Sequence, residues 1–112
     1  MAARPRHKAV FTVETPFPTV PSATLWENTW NEKIQPFHPE VVGRLASIQA
    51  TLSNPTMVTT ATHPEYVMFV SHTEASTPGE ALVVCVNPNH DSGNPSVRSA
   101  HETRQKMFLD PD

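Results

Sequence analysis

Six histidines stand beside eight lysines and arginines in this 112-residue chain, and two of them occupy positions where an imidazole could do chemistry. His38 precedes Pro39-Glu40 at the start of what reads as a helix. The positive end of a helix dipole keeps an imidazole neutral, as a general base must be. A capping or surface histidine ahead of Pro39 would carry the same sequence. His101 lies in a strand-like segment whose alternation puts Val97, Ser99, His101 and Thr103 on one face and Arg98, Ala100, Glu102 and Arg104 on the other. A row of serine, histidine and threonine could give hydrogen bonds and a proton to a phosphate. It would equally suit the solvent side of a half-covered antiparallel sheet.

Three arginines and one further histidine complete the set. Arg44, six residues beyond His38, could brace a phosphate or be an ordinary solvated arginine. Arg98 and Arg104 are reserve cations on the final strand. His72 ends a strand that carries Tyr66, Met68 and Val70 on one face, so it falls either near the polar row or at a loop mouth. His90 and Asp91 read as solvent-exposed turn residues.

Other site chemistries lack their residues. There is no His-Glu-x-x-His, no histidine pair four apart and no Cys-x-x-Cys, so a zinc site would have to gather ligands from distant elements. His38-Pro39-Glu40 has the His-x-Glu of zinc deaminases, but the Pro-Cys-x-x-Cys partner is missing. Glycine-rich phosphate loops and a Gly-x-Ser-x-Gly elbow are also missing.

The elements that must position these side chains can be read from punctuation and period. Residues 1–23 hold Pro5, Pro16, Pro18 and Pro21 and read as an extended arm, with Ala9 to Val13 as one edge strand. Thr24 with Glu27 has capping-box spacing ahead of Leu25, Trp26, Trp30 and Ile34, which predicts a short first helix. His38-Pro39-Glu40 opens a second, with Val41, Leu45, Ile48 and Leu52 at helical spacing and Asn54-Pro55 as its stop. After Pro55 the period becomes strand-like over Met57 to Thr60, Glu65 to His72, Glu80 to Asn87 and Ser96 to Thr103, with turn residues between. The expected fold is α+β: one or two N-terminal helices packed on a four-stranded antiparallel sheet. The domain would span residues 24–105, followed by a tail at 106–112.

Composition bounds the rest. The length suits a single core, and 12 prolines against 3 glycines imply stiff connections. The one cysteine, Cys85, sits in the apolar run Ala81 to Val86, so no intrachain disulfide is possible and a buried, inert thiol in a reducing, cytoplasmic setting is expected. The apolar runs are too short to span a bilayer, so no membrane partner is expected. A net charge of −3 argues against coating nucleic acid by bulk electrostatics, though a local basic site is compatible with it. Protonation of several histidines near pH 6 would cancel or reverse that balance.

The order Trp30 to Ile34, His38-Pro39-Glu40-Val41, Ile48, Leu52, Asn54-Pro55 and Val97-Arg98-Ser99-Ala100-His101-Glu102-Thr103 resembles a phage and bacterial family in the barnase, EndoU, colicin and RelE group of ribonucleases. That family shares a tryptophan-bearing segment, a helix opened by His-Pro-Glu, an Asn-Pro stop and a last strand like Val-x-Thr-Ala-Tyr-x-Thr. Here Ser99 replaces the first threonine and His101 the tyrosine, while Ala100 and Thr103 match. The resemblance implies a metal-independent, toxin-type endoribonuclease without a cofactor, in which the RNA 2′-hydroxyl attacks the adjacent phosphate. His38 would be the base and His101 the acid, with Arg44, Ser99 and Thr103 stabilising the phosphate and Arg98, Arg104 and His72 binding substrate. An antitoxin or immunity protein is the implied partner. The alternative is a non-catalytic protein-binding module or inhibitor on the same fold.

Overall fold

The computed structural model describes residues 8–60, 66–88 and 95–104. The turns expected at His63-Pro64 and around His90 and Asp91, and the tail at 106–112, lie outside them. The chain order is β1 (Ala9–Glu14), β2 (Ser22–Trp26), α1 (Glu27–Thr29) running into a π-helical turn (Trp30–Ile34), a 3-10 turn (Pro39–Val41), α2 (Leu45–Ser53), β3 (Met57–Thr60), β4 (Val67–Ser71), β5 (Glu80–Asn87) and β6 (Ser96–Arg104).

The four-stranded expectation is corrected to a mixed sheet of six strands, in the order β1-β2-β6-β5-β4-β3. β3 to β6 form an antiparallel meander in sequence order. The proline-rich arm, with the three residues that follow it, supplies the other two strands as an antiparallel hairpin, and β2 lies parallel to β6 through Thr24 and Ser96. Pro16, Pro18 and Pro21 fall in the hairpin loop, away from the ladder. There Thr15 N donates to Pro21 O at 3.0 Å, Val20 N donates to Phe17 O at 2.9 Å, and the Thr15 hydroxyl bonds to the Val20 carbonyl. Prolines are tolerated where no ladder donor is needed.

Both expected helices are also corrected. Thr24 is not an N-cap: it is buried in β2, and its hydroxyl bonds to that of Thr12 across the hairpin at 2.9 Å. Helix therefore begins only at Glu27. The second helix is split after Val41, because Gly43 takes φ +77°, a left-handed conformation that glycine adopts without steric cost. What remains is α2, nine residues long. It buries Ile48, Thr51 and Leu52, each aliphatic side chain contributing roughly 1.5–3 kcal/mol on leaving water.

α2 touches β1, β4 and β5. Since β1 is one edge of the sheet and β4 lies next to the other, the sheet must curl around this helix. The main core lies in that concavity, where Leu82, Val84 and Val86 of β5 meet Val97 and Ala100 of β6, Leu25, Ile34 and Val41. The opposite face carries a smaller cluster of Val70, Ala81 and Val83, with Met57, Met68 and Cys85 against it. No helix among the described residues is long and apolar enough to cross a membrane.

Candidate functional site

β6 sets the site. Its register against β5 pairs Ser99 with Cys85, His101 with Val83 and Thr103 with Ala81. Directly opposed residues share a face, so the three polar side chains stand beside the smaller cluster, away from α2. Val97 does not join them, contrary to simple alternation. The register shifts between Cys85 and Val86, and this bulge turns Val97 into the main core with Ala100. Arg98 falls at the extra position, exposed, with its guanidinium carbon 5.6 Å from the Tyr66 ring centre.

β2 reaches β6 only at Ser96, and beyond that the turn at Pro39–Val41 comes against β6. Buried Ile34 and Val41 anchor the two ends of the intervening segment. His38 N donates to Ile34 O at 2.8 Å, and Val41 N donates to His38 O at 3.1 Å. Glu40 then closes the seam: its Oε2 accepts the Glu102 backbone N–H at 3.3 Å and lies 3.7 Å from His38 Nδ1.

The imidazoles of His38 and His101 thereby meet, with ring centroids 5.5 Å apart and planes tilted by 32°. His101 is held below the ordinary imidazole pKa of about 6.5, first by burial and then by the His38 charge, with Glu40 pulling the other way. It is accordingly neutral at pH 7. His38 and Glu40 are each about one-third exposed, so solvent reaches the pair from the Glu40 side.

Arg44 does not stand ready for a phosphate. It is the N-cap residue of α2, and its guanidinium donates to Glu102 Oε2 at 2.8 Å, to Ser47 Oγ at 3.1 Å and to the Glu74 carbonyl. Glu102, only 6% exposed, also accepts the Ser76 backbone N–H and hydroxyl, each at 2.8 Å. This network ties the loop after β4 to β6 and to the head of α2. His38 likewise has no α-helix behind it, since it caps a three-residue turn and α2 begins at Leu45. The expected dipole effect therefore loses its structural basis.

The remaining candidates are scattered. The Ser99 hydroxyl bonds to the Cys85 thiol, whose pKa burial pushes up and this bond partly lowers. Thr103, opposite Ala81, stands two residues along from His101, about 7 Å on the same face. His72 follows β4, its N–H on Thr56 Oγ1 at 2.9 Å, and β5 separates it from β6. Arg104 is exposed at the end of β6, opposite Glu80. Glu40 and Glu102, which orient the pair and its neighbourhood, had no assigned role in the sequence reading. The short spacing from His38 to Glu40 was a usable signal for the first. Nothing local marked the second.

Among the described residues, no group of three or more histidines, cysteines or carboxylates is placed to hold a metal ion. No family model, curated protein or solved structure matches this chain.

Proposed function

We propose that this protein cleaves RNA by transesterification, using His38 and His101 as its proton-transfer pair. The observation that carries the reading is their 5.5 Å separation. Two imidazoles this close can address opposite sides of one phosphate, and RNA brings its own nucleophile in the 2′-hydroxyl.

The surroundings of the two rings favour exchanging the roles implied by the resemblance. His101, neutral through burial, is the base that takes the 2′-hydroxyl proton as that oxygen bonds to phosphorus. His38, which forms an ion pair with Glu40 when protonated, gives its proton to the 5′ oxygen as the P–O5′ bond breaks. The products are a 2′,3′-cyclic phosphate and a 5′-hydroxyl. Protonated His38 and the Thr103 hydroxyl stabilise the crowded phosphate, and exposed Arg98 meets the flanking backbone as a solvated charge, while Arg104 follows on the other face of β6 and takes no part. Arg44 serves instead by holding Glu102, and so the strand that bears His101.

The test is cleavage of single-stranded RNA in chelator between pH 5.5 and 8, comparing wild type with His38→Ala and His101→Ala. Each variant is expected to lose roughly 10²–10⁴-fold in rate, and the product should carry a cyclic phosphate. Undiminished cleavage by the double variant would overturn the mechanism. No cleavage by wild type under any condition would leave the non-catalytic binding module.

A further inference from the structure

Phe37 is the most exposed large apolar side chain among the described residues, at 73%, and Val42 at 51% is the other of this kind. They bracket His38 to Val41. Phe11 and Phe17 are partly buried against the main core and Phe69 lies wholly inside it, so exposure is a property of this position rather than of phenylalanine in this chain. A single exposed apolar residue is ordinary on a protein surface. An aromatic ring joined to one member of an imidazole pair is a narrower observation.

Phe37 is presented on a stiff backbone. Pro36 and Pro39 fix φ on either side of the Phe37-His38 pair, Phe37 N donates to Ile34 O at 3.2 Å, and fully buried Ile34 and Val41 hold the segment at both ends. A ring shown to solvent this way loses little conformational freedom when a flat partner settles on it, because the backbone is already ordered and only two side-chain torsions remain. Nucleobases are such partners: every base has a π-face, and stacking on aromatic side chains is how single strands are held without sequence readout. Electrostatics alone would serve poorly here, given a net charge of −3 and an Arg44 engaged by Glu102.

We infer that Phe37 is the base-stacking platform of the site, receiving a nucleobase next to the phosphate that His38 and His101 act on. This rests on the RNA-cleaving reading and narrows its substrate to single strands and loops, because bases in a duplex are stacked on one another and cannot reach the ring.

The experiment separates binding from chemistry. Binding of a fluorescent oligonucleotide carrying 2′-O-methyl groups, which cannot be cleaved, is measured for wild type, Phe37→Ala and Phe37→Trp, alongside cleavage of the matching all-RNA strand. Phe37→Ala should weaken binding roughly 5- to 100-fold and raise KM with kcat nearly unchanged, and Phe37→Trp should restore binding and show tryptophan quenching on titration. A strand with one abasic site next to the scissile phosphate should bind wild type as weakly as the intact strand binds Phe37→Ala. Cleavage and binding indifferent to Phe37 would overturn the platform while leaving the ribonuclease reading intact. Phe37-dependent binding without cleavage would sustain the platform and overturn the chemistry, and no binding of any strand by wild type would overturn both.

Discussion

Arg44 grips Glu102 at 2.8 Å, and Glu102 is the residue next to His101 on β6. The bridge therefore joins the chain just beyond the Pro39–Val41 turn to the strand that bears His101. Arg44→Met would leave a nearly buried carboxylate without its guanidinium and is expected to destabilise the fold by about 2–3 kcal/mol, below the full cost of breaking a buried pair because Arg44 is partly solvated. Urea unfolding should show a lower midpoint with unchanged slope.

His101 should make the protein less stable in mild acid. Its folded pKa lies below the unfolded one, so the unfolded chain binds more protons in the interval between them and stability rises with pH there. Stability is whole above about pH 6.5, falls as pH drops from there towards the folded value, and loses nothing further from this group below it. Thermal melts between pH 5 and 8 in His101→Gln, where this slope should vanish, provide the check.

The neighbours of His101 should move its titration in opposite directions. His38 depresses its pKa and Glu40 raises it. His38→Gln should thus shift the His101 NMR titration to higher pH, and Glu40→Gln to lower pH. In the proposed reaction, Glu40→Gln should carry the acid limb of the rate profile the same way. The NMR readout holds in the absence of any activity.

Cys85 should react slowly with alkylating reagents at neutral pH, since burial raises its pKa and the thiolate is the reactive form. The Ser99 hydroxyl lowers that pKa, so Ser99→Ala should make alkylation slower still. The rate of thiol modification measured by mass spectrometry would show it.

Gly43→Ala should cost about 1 kcal/mol through backbone strain, because an added Cβ meets no atom within 4 Å but φ is +77°. A circular-dichroism melt is sufficient to read this loss.

How far the sequence reveals this molecule depends on where its signals are local. β3 and β5 have the bounds that period and turn residues predict, Met57–Thr60 and Glu80–Asn87, because the residues that decide them are contiguous. β2 was hidden because Thr24 and Glu27 have capping-box spacing, yet pairing with β1 and contact with Ser96 outweigh a local cap. Gly43 was legible as a glycine but not as a break, since a helix tolerates one at about 1 kcal/mol. His38 and His101 could each be named from sequence. Their meeting depends on a turn crossing the unpaired edge of β6, and the engagement of Arg44 depends on Glu102 facing inward, a consequence of sheet pairing that no local pattern encodes.

The parallel seam between β2 and β6 has a consequence for the order of assembly. It registers through Thr24 and Ser96, with Thr24 N on Pro95 O at 3.1 Å, so closing it means bringing together segments from near the two ends of the described chain. The antiparallel meander closes much shorter loops, and local contacts form first. The β1–β2 hairpin, registered to the rest of the sheet through a single pair, is expected to dock last and to exchange its amide hydrogens before the meander does.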